Sequence, residues 1–133
     1  YIIAHKSKYY RLLRAVTEHE AWEDWILFML DAIESTALST YYKIWNIKTL
    51  LEDTAEQCRR ELPSTVYSKE LVELIFVQPY SKVSSIVDAG LAKRQTAARY
   101  LKELERIGIL RSEKIGKERI YFNQSLIKLL SEG

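Results

Sequence analysis

The sequence is poor in cysteine and in the residues that break regular structure. Among 133 residues there are four glycines, two prolines and one cysteine. So few chain breakers favour long helices over a many-stranded sandwich. The four glycines lie far apart, which excludes a glycine-rich phosphate-binding loop within this sequence. A single cysteine, Cys58, excludes an internal disulfide and a zinc cluster of thiolates, so we predict a buried core thiol in a reducing compartment.

Long apolar runs and signal-peptide features are also missing. The longest uninterrupted apolar run covers 25–30 and is far too short to cross a bilayer. The first residues lack the succession of charged, apolar and small residues that marks a signal peptide. We therefore predict a cytoplasmic protein with no membrane partner. The first residue, Tyr1, is not methionine, which we interpret as processing or as excision from a longer chain.

Charge is distributed unevenly along the chain, although its net value is only +2. Residues 1–63 contain eight basic and ten acidic side chains, a net of −2. Residues 64–133 contain twelve basic and eight acidic side chains, a net of +4. The second part is therefore the better candidate for binding a polyanion.

The first part of the chain has the periodicity of helices. Apolar residues from Tyr9 to Val16 recur at helical spacing and predict one amphipathic helix. The sequence from Thr17 to Glu20 matches a capping box, which predicts that a second helix starts there. Residues 20–62 contain no breaker before Pro63, so they form either one very long helix or two helices joined near residues 35–40.

A heptad-like seam runs along the second part of this helical region. Apolar residues alternate steps of three and four, with one lysine among them. Two interpretations stay open: the seam packs on helices of the same chain, or it forms a homodimer interface. The residues predicted for dimer contact or helix packing are Tyr41, Ile44, Leu51, Ala55 and Cys58.

Two motifs in the helical part carry a family resemblance. Tyr9 and Tyr10 form a tyrosine pair, and Trp22 and Trp25 precede an aromatic-rich apolar run that ends at Ile33. This succession resembles the C-terminal helices of the Fic family. The resemblance extends to the second half, because many bacterial Fic proteins end in a small winged-helix domain. It implies that the chain is the C-terminal part of a bacterial Fic protein.

The active-site loop typical of the Fic family is absent from this sequence. In the family that loop runs histidine, proline, phenylalanine, two variable positions, glycine, asparagine, glycine and arginine. Here His5 is followed by Lys6 and His19 by Glu20, so neither histidine is assigned as the catalytic base. We predict no catalytic residue, no metal site and no cofactor in this chain. For the intact parent the resemblance implies transfer of AMP from ATP to a protein target, with magnesium.

The second half begins with three helical patterns, of which the first two are short. Ser68 is a candidate cap for a helix over 69–77, and Ser81 for a second short helix. Gly90 then predicts a turn, because helix C-termini often need a left-handed residue. A third helix over 93–107 follows and is terminated by Gly108. Helix, glycine turn and helix form the helix-turn-helix pattern.

Two β-strands and a last helix complete this half. We predict strands over 109–114 and 118–122 joined by a turn at 115–117, and a final helix capped by Asn123. The four leucines and isoleucines of that helix are predicted to face the core. The fold class predicted for the whole chain is mainly α: a helical tail of a Fic domain over 1–63, then a winged helix with one β-hairpin over 64–133.

The winged-helix half carries the candidate binding residues. Winged helices that bind DNA place the third helix in the major groove and the hairpin on the DNA backbone or in the minor groove. Arginine and glutamine can read base edges there, and lysines suit phosphates. We therefore predict double-stranded DNA as the partner, and the alternative is a protein-interaction or dimerisation module that positions the catalytic Fic domain or its protein target. The predicted DNA-binding residues are Lys93, Arg94, Gln95, Thr96, Arg99, Lys114, Lys117 and Arg119.

Overall fold

The structure, a computed structural model, describes Tyr1 to Glu132 and is mainly helical with one small sheet, which confirms the predicted fold class. Its chain folds as two compact units, Tyr1–Ile44 and a second unit that starts at Trp45. The elements in chain order are α1 (Lys6–His19), α2 (Trp22–Glu61), α3 (Lys69–Val77), β1 (Tyr80–Ser81), α4 (Val83–Asp88), α5 (Arg94–Arg106), β2 (Arg111–Ile115), β3 (Glu118–Phe122) and α6 (Gln124–Ser131).

The first unit is held together by aromatic packing between α1 and the start of α2. Phe28 is 2% exposed and forms the centre of this small core, together with Leu12 and Ala32. The Tyr9 ring lies 5.2 Å from the Trp25 ring and 6.3 Å from the Phe28 ring, measured between centroids. One tyrosine of the pair and the second tryptophan of the motif therefore belong to the same helix–helix contact.

The connection between α1 and α2 differs from the capping box predicted at residues 17–20. The Thr17 hydroxyl donates to the Leu13 carbonyl oxygen at 3.2 Å, so Thr17 lies inside α1 and does not cap α2. The helix ends two residues later because Glu20 adopts the left-handed conformation, with φ of 54°. Its backbone N–H closes onto the Val16 carbonyl oxygen, as in a helix C-terminal cap.

Helix α2 is a single helix of 40 residues. This confirms the prediction of one very long helix over the alternative of two helices joined near residues 35–40. The serines and threonines at 35–40 lie inside it. It ends at Glu61. The next residue, Leu62, precedes Pro63, and the proline ring disfavours helical backbone at that position. Within the residues that the structure describes, no helix has both the length and the apolar character needed to cross a membrane.

The core of the second unit gathers side chains from most of its elements. Cys58 from the C-terminal end of α2 and Leu62, the residue that follows the helix, pack with buried residues of α3, α4, α5 and β3. The predicted core thiol is confirmed, because Cys58 is fully buried. Burial raises the pKa of Cys58 to about 11, with a smaller contribution from the negative charge of Glu61. The thiol is therefore neutral at physiological pH and acts as a small apolar core residue.

Helix α3 starts as predicted, whereas the segment after it differs from the prediction. The Ser68 hydroxyl accepts the Leu71 backbone N–H at 3.1 Å and caps α3. Ser81 does not cap α4, because it lies in β1 and pairs with Tyr121 of β3. Instead, the Ser85 hydroxyl accepts the backbone N–H of Lys82, the residue before α4.

The sheet has three antiparallel strands in the order β1-β3-β2. The predicted hairpin is confirmed, with Ile115 opposite Glu118 and a two-residue turn at 116–117 in which Gly116 has φ of 64°. Its first strand is shifted relative to the prediction and covers Arg111–Ile115. The reason is that the backbone N–H groups of 109 and 110 close onto the Leu104 carbonyl oxygen at the end of α5.

Helix α6 is anchored by a buried side chain at its start. The Asn123 carboxamide accepts the Leu126 backbone N–H at 3.2 Å and donates to the Ile75 carbonyl oxygen at 3.3 Å. The predicted cap is therefore present and also ties α6 to α3. The prediction that all four aliphatic residues of α6 face the core is wrong, since only Leu126 is buried and Ile127 and Leu130 are exposed.

Candidate nucleic-acid interface

Helix α5 has one fully buried face and one exposed face. Ala97, Leu101 and Leu104 are 0% exposed and fix the inner face against the core of the second unit. The helix follows a turn in which Gly90 has φ of 75°, and it is followed by Gly108 with φ of 83°. Tyr100 also packs partly against this core. The exposed positions of the helix are Arg94, Gln95, Thr96, Arg99, Lys102 and Arg106.

The exposed start of α5 carries a group of polar side chains. Lys93 is the N-cap residue, and its side chain caps no backbone group. Arg94, Gln95 and Thr96 form the first turn, and all three are exposed. Within residues 1–132, none of these four side chains makes a hydrogen bond or an ion pair. Four of the predicted DNA-binding residues therefore form one solvent-facing cluster, which we call the α5 cluster.

Arg99 lies one turn further along α5 and has a partner within the protein. Its Nη2 donates to the Thr65 hydroxyl at 3.0 Å, which links α5 to the loop after α2. The remaining N–H groups of the guanidinium stay available, because arginine has five donors. Arg99 is therefore exposed but held on one side.

The hairpin places two cations side by side. Lys114 of β2 is directly opposite Arg119 of β3, and residues paired in this way share a face of the sheet. Directly opposed like charges destabilise a strand pair, in which single favourable cross-strand pairs contribute roughly 0.2–1 kcal/mol. Lys117 occupies the turn next to them. The hairpin thus concentrates three predicted cations at a small local cost in stability.

A chain of hydrogen bonds joins the hairpin to α5. The Arg119 Nη1 donates to the Ser112 Oγ at 2.9 Å, and the Ser112 hydroxyl donates to the Glu105 Oε1 at 2.9 Å. Tyr121 lies beside this chain and is 3% exposed. Burial raises the pKa of Tyr121, and the negative charge of Glu105 raises it further.

An ion pair fixes the other side of β3. The Lys82 Nζ lies 2.8 Å from the Glu118 Oε2, and this hydrogen-bonded carboxylate raises the pKa of Lys82. The fold adds four partners of the candidate site that the sequence does not indicate, namely Lys82, Ser112, Glu105 and Thr65. No local pattern indicates them, because each pair is brought together by the tertiary fold.

The residues predicted for dimer contact or helix packing fall into two groups. Leu51, Ala55 and Cys58 pack within the core of the second unit. Tyr41 and Ile44 are 61% and 62% exposed. Packing within the chain therefore accounts for three of the five residues, and a homodimer through Tyr41 and Ile44 stays a prediction.

The two histidines lie at the two ends of α1. His5 is the N-cap residue, and its Nδ1 is 2.9 Å from the Tyr1 carbonyl oxygen. His19 is in the last turn, 3.9 Å from a carboxylate oxygen of Glu18. Across residues 1–132, no three histidine, cysteine, aspartate or glutamate side chains are grouped so as to hold a metal ion.

Residues 50–126 match the model of a known protein family. The matching family is described as "Protein adenylyltransferase SoFic-like, C-terminal domain". The match extends from the C-terminal part of α2 to the first turn of α6 and therefore includes α5, the hairpin and the buried core between them. It also agrees with the Fic resemblance of the tyrosine and tryptophan motifs, which lie outside the matched range. On this match, the chain belongs to the family of SoFic-like C-terminal domains of protein adenylyltransferases.

Proposed function

We propose that the second unit is a winged-helix domain that binds double-stranded DNA, with α5 as the recognition helix and the β2–β3 hairpin as the wing. The observation that carries this proposal is the division of α5 into a fully buried inner stripe and an exposed α5 cluster. A helix that is fixed by its core face and polar at its exposed start has the arrangement needed to enter a major groove.

The chemistry of the α5 cluster fits base reading. The Arg94 guanidinium has paired donors for the O6 and N7 atoms of guanine, and the Gln95 carboxamide has the donor–acceptor edge that matches adenine. Lys93 carries a compact charge suited to a phosphate. Because these side chains have no intramolecular partner within residues 1–132, binding them to DNA breaks no hydrogen bond of the protein.

The acidic residues near the site are mostly engaged by the protein itself. Glu103 pairs with Arg106 at 2.8 Å, and Glu118 pairs with Lys82 at the same distance. Glu105 accepts the Ser112 hydroxyl. These carboxylates are therefore directed toward neighbouring protein groups. The exposed lysines of the α5 cluster and the hairpin have no such ion pair within residues 1–132, which supports binding to a polyanion.

Salt dependence of duplex binding tests this proposal. We expect the protein to bind short fluorescent duplexes in an anisotropy titration between about 50 mM and about 200 mM salt. If about five cations contact phosphates, the slope of log K against log salt is about −4 to −5. Failure to bind any duplex at the low-salt end would refute the proposal. A slope close to zero would also refute it, because phosphate contacts release counterions.

We further propose that this chain contributes binding and leaves adenylyl transfer to other residues of the intact protein. Support comes from its two histidines, which lie at the exposed ends of α1, and from its four glycines, which lie too far apart to form a glycine-rich turn. A general base without a nucleotide-binding loop cannot transfer AMP. The AMP transfer from ATP with magnesium, implied by the Fic resemblance, is a proposal for the whole protein.

A further inference from the structure

The hydrogen-bond chain from Arg119 through Ser112 to Glu105 has a fixed direction. A serine hydroxyl has one proton and two lone pairs, so it can donate once while it accepts. The Glu105 carboxylate only accepts when ionised, and the Arg119 guanidinium only donates. The proton of Ser112 therefore points to Glu105 at 2.9 Å, and its lone pair faces Arg119 at 2.9 Å.

These two hydrogen bonds restrain the Arg119 side chain, which would otherwise be free. Immobilising an arginine side chain costs up to about 2 kcal/mol in conformational entropy. For an unrestrained arginine, this cost reduces the free energy gained when it binds a ligand. Here one guanidinium nitrogen is already held by the sheet. Four of the five N–H donors remain for an external acceptor, and guanidinium groups bind phosphate oxygens in pairs.

The hydrogen-bond chain also brings a negative charge close to the two opposed cations of the hairpin. Lys114 is directly opposite Arg119, and the two positive charges repel each other. Glu105 supplies a negative charge one hydroxyl group away, on α5. The ion pair of Glu118 with Lys82 holds the neighbouring residue of β3. The hairpin that carries both cations is thus fastened at two consecutive positions of β3, Glu118 and Arg119.

We propose that Ser112 and Glu105 are positioning residues, which orient the Arg119 guanidinium toward a phosphate group of the DNA backbone. This inference rests on the proposed function, because the phosphate is the backbone of the bound duplex. Ser112 and Glu105 touch no DNA themselves. They connect the hairpin to the helix that enters the groove, so the phosphate contact and the base contacts keep a fixed spacing.

The test begins with Ser112→Ala, which removes the hydroxyl and leaves every charge in place. We expect affinity for a short duplex at low salt to fall roughly five- to ten-fold, and the salt slope to decrease in magnitude by about 1. Ser112→Thr keeps a hydroxyl and is expected to restore both values. The matched control is Ser125→Ala on α6. Ser125 is exposed and takes no part in the hydrogen bonds between Arg119, Ser112 and Glu105, so this substitution should change neither value.

A double-mutant cycle separates positioning from general damage to the hairpin. If Ser112 acts through Arg119, adding Ser112→Ala to Arg119→Ala should cause no further loss of affinity. A loss that is fully additive would overturn the inference. So would an unchanged salt slope in Ser112→Ala, measured while the wild-type protein binds the duplex. A wild-type protein that binds no duplex refutes the proposed function itself, which distinguishes the two failures.

Discussion

Replacing Arg94 and Arg99 together by alanine is expected to lower duplex affinity by roughly 100- to 1,000-fold at low salt. An arginine that contacts a base edge contributes about 1–3 kcal/mol, and a phosphate contact adds to the salt-dependent part of the affinity. Arg94 lies in the exposed first turn of α5, and Arg99 lies on the same helix with one side held by Thr65. Both changes lie on the exposed face, so the fold should stay intact.

A second variant with the same change in charge controls for nonspecific electrostatics. Arg11 and Arg14 are exposed arginines of α1 in the first unit. Replacing both by alanine removes two positive charges that are not part of the proposed interface, and we expect less than about a three-fold loss of affinity, since salt screens exposed charges that make no direct contact. Equal losses in the two double variants would contradict a binding site at α5. Anisotropy titrations at one low salt concentration decide between the outcomes.

Leu104→Asp is expected to unfold the second unit at room temperature. Leu104 is 0% exposed and lies in the core cluster with Leu101 and Cys58. The substitution removes apolar packing worth about 2–5 kcal/mol and buries an unpaired carboxylate at a further cost of several kcal/mol. Typical domains have only about 5–15 kcal/mol of stability. The variant should therefore lose its cooperative thermal transition, as measured by circular dichroism.

Lys102→Asp provides the control for this experiment. It introduces the same residue into the same helix, two positions away and on the exposed face. We expect its free energy of unfolding to change by less than about 1 kcal/mol, since exposed substitutions rarely cost more. A Leu104→Asp protein that melts like the wild type would show that the inner face of α5 is misassigned.

Local signals were sufficient to predict most elements of the second unit. Ser68 and Asn123 were identified as caps because each offers a side-chain oxygen to a backbone N–H three residues later, and both make that bond. Gly108 was identified as the end of α5, and its φ of 83° shows why a glycine stands there. Each of these features is decided within a few residues of sequence.

Features that are ambiguous in the local sequence, or that depend on distant partners, could not be predicted in this way. The residues of Thr17–Glu20 fit a capping box as well as the last turn of a helix, and only the observed hydrogen bond of Thr17 to Leu13 decides between them. Strand β1 is two residues long and exists because β3 lies beside it. A periodic pattern has no means of indicating so short an element.

The candidate site shows the same division. The exposed cations of α5 and the hairpin could be predicted from charge and helical spacing. Their partners could not, because Thr65 and Arg99 are 34 residues apart, and Lys82 and Glu118 are 36 residues apart. Such contacts determine which cations have a partner within residues 1–132 and which are exposed without one. The distinction between the free α5 cluster and the restrained Arg119 therefore required the fold.

Mapping the bound surface residue by residue tests DNA binding by this domain most directly. The measurement is an NMR titration of the 15N-labelled protein with a short duplex at low salt. If α5 is the recognition helix and the hairpin is the wing, the backbone signals of residues 93–99 and 114–119 shift or broaden, while those of α6 and of the first unit do not. Unchanged signals in both regions, or larger changes in α6 or the first unit, would contradict the proposed interface.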